Sequence, residues 1–126
     1  MTPPLDQLIR TVRNKRVILS PDLASIYGVS TKALNQAVRR NSERFPEDFA
    51  FQLTSEEFDF LRSQIVTLEK SGRGQHSKYP PFAFTEHGAL MAANILKSPE
   101  ATRMSVFVVR AFVKQREVLM AQADVL

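Results

Sequence analysis

The sequence predicts a small α+β domain with a helix-turn-helix, a short antiparallel sheet of about three strands and a long C-terminal helix. Three observations predict it. Helix-start signals built on Ser or Thr recur at Ser20, Ser30, Thr54, Thr85 and Ser98. Short β-branched or aromatic runs stand between some of them. The longest helical pattern opens at Ser98-Pro99-Glu100 and runs to about Met120.

In chain order, Leu5, Leu8, Ile9 and Val12 fall on one side of a predicted short helix over residues 5–12. Asn14 and Lys15 read as a turn, and Arg16-Val17-Ile18-Leu19 as a strand. Ser20-Pro21-Asp22 then opens a helix. The Ser20 hydroxyl is expected to accept from a backbone N–H that has no helical partner, and Pro21 loses nothing at the first helical position. That helix runs to about Tyr27 and stops at Gly28, which tolerates a left-handed backbone. Ser30 caps a second helix, from Thr31 to about Asn41.

A helix, a turn of about three residues and a second helix make the helix-turn-helix pattern. Leu23, Ala24, Ile26 and Tyr27 are expected to face Leu34, Ala37 and Val38, with Val29 filling the corner. After Phe45-Pro46, residues 49–53 read as a strand. Thr54-Ser55-Glu56-Glu57 is a capping box starting a helix to about Gln64. Residues 69–81 read as a basic loop, and Phe82-Ala83-Phe84 as a third strand. Thr85 caps a helix to about Leu96. From Met104 to Val113 the last helix is apolar on nearly every side, so it is either the central core helix or meets another subunit.

The 126 residues fit one domain with one hydrophobic core, and an apolar share of 44% with nine Phe can fill it. The absence of Cys excludes disulfides, thiolate metal sites and a thiol nucleophile, and fits a reducing compartment. No apolar run reaches the roughly 20 residues needed to cross a bilayer, and residues 1–6 lack a signal-peptide layout. A cytoplasmic protein is expected. The net charge is +4. Residues 9–44 hold eight basic residues against two acidic ones, for a net of +6, whereas the rest of the chain is net negative. That asymmetry points to a polyanion-binding face.

On the second helix of the motif, Leu34, Ala37 and Val38 fall on one side at 100° per residue. Lys32, Asn35, Gln36, Arg39 and Glu43 fall opposite. Arg and Lys match guanine N7 and O6, while Asn and Gln match adenine N6 and N7. Lys32, Asn35, Gln36 and Arg39 are therefore the candidate base contacts in a major groove. Ser30 and Thr31, at a helix N-terminus, are candidate phosphate contacts. Arg13, Lys15, Arg16, Arg40, Arg73 and Lys78 are further backbone candidates, the last two as a wing.

An enzyme is not expected. His76 and His87 are the only histidines, and neither a metal-ligand cluster nor a phosphate-cradling Gly-rich loop is evident. No cofactor or metal is expected.

Arg16-Val17-Ile18-Leu19, Asp22-Leu23-Ala24, Tyr27-Gly28-Val29, Leu34-Asn35-Gln36-Ala37-Val38, Arg40-Asn41 and Arg44-Phe45-Pro46-Glu47-Asp48-Phe49 stand in the order of a phage domain family. Phe51-Gln52-Leu53-Thr54 with Glu57, Phe84-Thr85-Glu86 with Gly88, and Arg110-Ala111-Phe112-Val113 with Arg116 continue it. Over about residues 9–117 the chain resembles the N-terminal DNA-binding domain of phage antirepressor-type proteins, a KilA-N-like group that includes the phage open-reading-frame-six N-terminal domains. It departs from the pattern at His87, where Gln is common, and at Ser105, where Asn is common.

The resemblance implies one domain over residues 1–126, a phage or prophage origin in a bacterial cell, DNA binding and transcriptional regulation. Family members often carry a separate C-terminal domain, so a truncated or single-domain form is expected here. Double-stranded DNA is the expected partner, read by a homodimer joined through Met104, Phe107, Val108 and Phe112 of the last helix. The alternative is a protein-interaction module that inactivates a repressor without reading DNA.

Overall fold

The computed structural model describes residues 5–68 and 79–125. A 3-10 turn, Leu5–Leu8, leads into strands β1, Arg10–Val12, and β2, Lys15–Leu19. Helices α1, Ser20–Tyr27, and α2, Thr31–Arg40, follow, then a 3-10 turn, Ser42–Arg44. Strand β3, Ala50–Gln52, helix α3, Ser55–Leu68, strand β4, Phe82–Phe84, and helices α4, Glu86–Leu96, and α5, Pro99–Val125, complete the described chain. The fold is α+β, as expected. The sheet runs β1-β2-β4-β3 with every neighbouring pair antiparallel.

The sheet is covered on both faces, and strict alternation assigns each residue to one of them. Ile18, Ala50 and Phe84 face the larger core, which they share with Leu23, Tyr27, Leu34, Val38, Ala92, Val108 and Phe112 of α1, α2, α4 and α5. Val17, Leu19, Phe51 and Ala83 face a smaller core with Leu61, against which Phe58 of α3 packs. The register Ile18↔Phe84 and Phe51↔Ala83 keeps both alternations in phase.

Among the described residues there are four strands, one more than expected, and the addition corrects the predicted helix over residues 5–12. Leu5, Leu8 and Ile9 do pack on the larger core, but Val12 belongs to the smaller one across the sheet. The cause is a two-residue hairpin turn at Arg13 and Asn14, both with positive φ (54° and 61°). Positive φ at both central residues gives the turn a twist that matches the strands it joins. The turn thus lies one residue earlier than Asn14-Lys15.

The helix starts are built largely as predicted. The Ser30 and Ser98 hydroxyls accept from the N–H groups of Ala33 and Ala101, at 3.0 and 2.9 Å. Glu57 N–H donates to Thr54 Oγ1 while Thr54 N–H donates to Glu57 Oε1, which closes the capping box. Gly88 N–H donates to the Thr85 hydroxyl. Gly88 itself lies so close to the backbone of Phe49 that a Cβ there would sit 2.0 Å from the carbonyl oxygen. Ser20 departs from expectation. Strand β2 runs straight into α1, so the extended Leu19 occupies the cap position without a side-chain bond. Ser20 is fully buried, and its hydroxyl has no hydrogen-bond partner among the described residues.

The two serines should therefore respond oppositely to truncation. Ser30→Ala removes a cap and is expected to cost about 1 kcal/mol. Ser20→Ala removes a buried, unpaired hydroxyl and is expected to be neutral or to stabilise by up to about 1 kcal/mol. Urea denaturation of both variants checks this; a loss at Ser20 as large as at Ser30 would refute the assignment.

Candidate nucleic-acid interface

Helix α2 is positioned by its turn and by its buried face. Gly28 ends α1 in the left-handed conformation (φ 73°, ψ 29°). Val29 N–H then donates to Ala24 O, folding the chain back within three residues. Leu34 and Val38 are buried against α1 and α4, with Val29 partly buried in the corner and Ala37 half-buried. This is the apolar contact expected between the two helices.

The opposite face of α2 holds the candidate base contacts. Lys32, Gln36 and Arg39 are exposed, and so is Arg40 on the flank. None of Lys32, Arg39 and Arg40 forms an ion pair with a described residue. Asn35 is half-buried, and its Oδ1 is enclosed without a partner among the described residues. Glu43, expected on this face, is exposed and falls in the 3-10 turn that follows the end of α2 at Arg40. At the N-terminus Thr31 is half-buried, and the Ser30 hydroxyl is engaged by Ala33.

Among the described residues, the other basic candidates Arg13, Lys15 and Arg16 have neighbours outside α2. Arg13, at the hairpin tip, donates from Nε and Nη2 to the Glu57 carboxylate at 2.8 and 3.0 Å. Its guanidinium lies 4.3 Å from the centroid of the Phe51 ring. This is a clasp between the hairpin and the start of α3, and its charge is already balanced. Lys15 and Arg16 line an open cleft of about 270 Å³ with Asp48, Glu86, His87 and Arg116, none of them on α2. There Arg116 is paired with Glu86, and the His87 ring stacks on Phe49 at 5.5 Å. Arg73 and Lys78 lie outside the described residues.

The residues expected to join two subunits divide between the inside and the outside of the molecule. Val108 and Phe112 are 1% and 2% exposed and belong to the chain's own core, which corrects their assignment to an interface. Met104 is half-buried, and Phe107 is 45% exposed. Val106, Val118, Leu119 and Met120 are exposed apolar residues on the same helix that sequence reasoning did not single out. Helical periodicity carries the signal for Val106, which is two residues from the buried Val108 and so turned away from it.

Among the described residues no group of three potential metal ligands occurs, and no helix is long and apolar enough to cross a membrane.

Together these features define a small α+β domain that presents one exposed, basic helix after a tight turn. The sequence model of the ORF6N domain matches residues 7–95, and the chain belongs to that family, a phage-type regulatory domain. The match spans the hairpin, both helices around the turn, the sheet and α4, and stops before α5. No curated protein and no solved structure matches the chain.

The clasp gives a pH-dependent expectation. Hydrogen bonds from Arg13, then the Thr54 N–H, hold the Glu57 carboxyl down from its ordinary 4.5 to about 2. A depressed folded-state value stabilises the fold above the unfolded pKa, and this contribution is lost as pH falls from about 4.5 towards about 2. Arg13→Gln should move the Glu57 titration up towards the ordinary carboxylate range. Carboxyl-carbon NMR titration reads this directly, and an unmoved Glu57 would show that the clasp does not form.

Proposed function

We propose that the protein is a phage-type transcriptional regulator that binds double-stranded DNA sequence-specifically, with α2 as the recognition helix of a helix-turn-helix. The observation that carries this reading is the exposed face of α2, where Lys32, Gln36 and Arg39 project without carboxylate partners among the described residues. Those side chains supply the donors and acceptors that a major groove requires. Asn35 stands with them as a shorter, half-buried reader. Arg40 and the start of α2 at Ser30 and Thr31 are assigned to phosphates, which position the helix without reading sequence. Membership of the ORF6N family supports a regulatory role. Two copies joined through the outward side of α5, at Val106 and Phe107, would double the readout.

The exposed apolar residues of α5 also favour a second reading, a protein-interaction module acting on a repressor. The two readings differ in what DNA does to the protein.

Selection from random duplexes, followed by titration at two salt concentrations, tests the first. Binding should enrich a motif and weaken steeply with salt. One good bidentate base contact is worth about 1–3 kcal/mol, so Lys32→Ala with Arg39→Ala should weaken the selected site at least about tenfold. Unfolding of that variant should be unchanged, because both side chains are exposed. An undiminished affinity would overturn the assignment of α2. A folded protein that ignores DNA at low salt would shift the function to the second reading.

A further inference from the structure

Arg44 is a cation that the α2 reading leaves unused. It closes the 3-10 turn that extends α2, four residues beyond Arg40, and its N–H donates to Asn41 O at 2.8 Å. The side chain is exposed. Its guanidinium reaches across to α4, where Nη1 donates to Asn94 Oδ1 at 3.2 Å. Asn94 is exposed as well.

The choice of partner matters electrostatically. Arg13, Arg103 and Arg116 are each held by a carboxylate, at Glu57, Glu100 and Glu86. Arg44 is held by a neutral amide, and it forms no ion pair with a described residue, although Glu43 precedes it. An amide oxygen orients a guanidinium without cancelling its charge. Among the described residues one of the five guanidinium donors is used, which leaves a fork for a second, anionic acceptor. A long surface side chain loses rotamer freedom when it binds, and a hydrogen bond made beforehand reduces that loss.

We infer that Arg44, steadied by Asn94, is a backbone-phosphate contact that carries the DNA-binding surface from α2 onto α4. The inference rests on the reading of α2 as the recognition helix. Arg44 is then a positioning contact: it adds affinity to any duplex and sets how α2 is docked, without selecting a base. Asn94 acts only through Arg44.

The test compares the wild-type chain with Arg44→Gln and Asn94→Ala, using the selected duplex and an unrelated duplex over a range of salt. Arg44→Gln should weaken both duplexes alike, by roughly tenfold at low salt, as expected for losing one hydrogen bond to a charged group. It should also lower the slope of log affinity against log salt by about one. Asn94→Ala should weaken binding less and leave the slope unchanged, since no charge is removed. A loss confined to the selected duplex would overturn the inference by making Arg44 a base reader. So would an unchanged affinity and slope for Arg44→Gln in a protein whose binding still depends on Lys32 and Arg39, and that outcome leaves the α2 reading intact. Absence of DNA binding by the wild-type chain would instead remove the reading on which the inference rests.

Discussion

Strand β2 is buried on both of its faces, and the placement of the candidate contact residues on α2 depends on that. Val17 and Ile18 are fully buried on opposite sides of the sheet, and Leu19 is nearly so. A one-residue slip would exchange the two cores, so the register is strongly specified. Because Leu19 is also the residue before α1, the strand passes its position to the helix with no linker between them. The left-handed Gly28 fixes the next change of direction, and the Ser30 cap fixes the start of α2. Short, hydrogen-bonded links thus connect the centre of the sheet to the exposed face of α2. A recognition surface gains precision from such support, because few bonds remain free to rotate.

Helix α4 supplies the second support. Its inner face is made of Gly88, Ala89, Ala92 and Ala93, and such small residues let neighbouring backbones approach closely. Phe49 exploits this at Gly88, and the buried Tyr27 hydroxyl donates to Ala89 O at 2.8 Å, which ties α1 to α4. Burial pushes the Tyr27 pKa upward, so the hydroxyl keeps the proton it donates. Helix α2 packs against the same helix. A clasp from Arg44 to Asn94 is therefore made between two elements whose separation is already set by the core.

Much of this was legible in the sequence, for a local reason. Caps at Ser30, Thr54, Thr85 and Ser98 act within three residues of themselves, so residue type and spacing reveal them. The features that escaped depend on distant residues. Leu5, Leu8 and Ile9 have the spacing of a helix and are indeed turned towards one core, but Val12 is drawn to the other core by pairing with Lys15. An Arg-Asn turn with positive φ at both positions has a weak sequence signal, since Arg rarely adopts that conformation. Ser20 looked like a cap because Ser-Pro opens many helices. It failed as one because the preceding residue is the end of a buried strand. In α5 the all-round apolar pattern gave two permitted explanations, and packing chose the inner one for Val108 and Phe112.

The candidate site was legible in part, and the part that was not shows what a charge count omits. Residues 9–44 carry a net +6, but that number treats all eight cations as equal. Arg13 is balanced by Glu57, 44 residues away, in a pairing that no local pattern discloses. Lys15 and Arg16 border a cleft that also holds carboxylates. Lys32, Arg39, Arg40 and Arg44 are the cations of that segment set on or just beyond α2, and none of the four forms an ion pair with a described residue. A paired cation offers a phosphate little, since the incoming anion must displace or tolerate the carboxylate already there. An unpaired one keeps its attraction for an incoming anion, over a range that salt screening limits to about 8 Å under physiological conditions. The exposure of these four cations on and just beyond α2, added to the surplus of positive charge in residues 9–44, is what supports the proposed reading of α2 as the face that meets a polyanion.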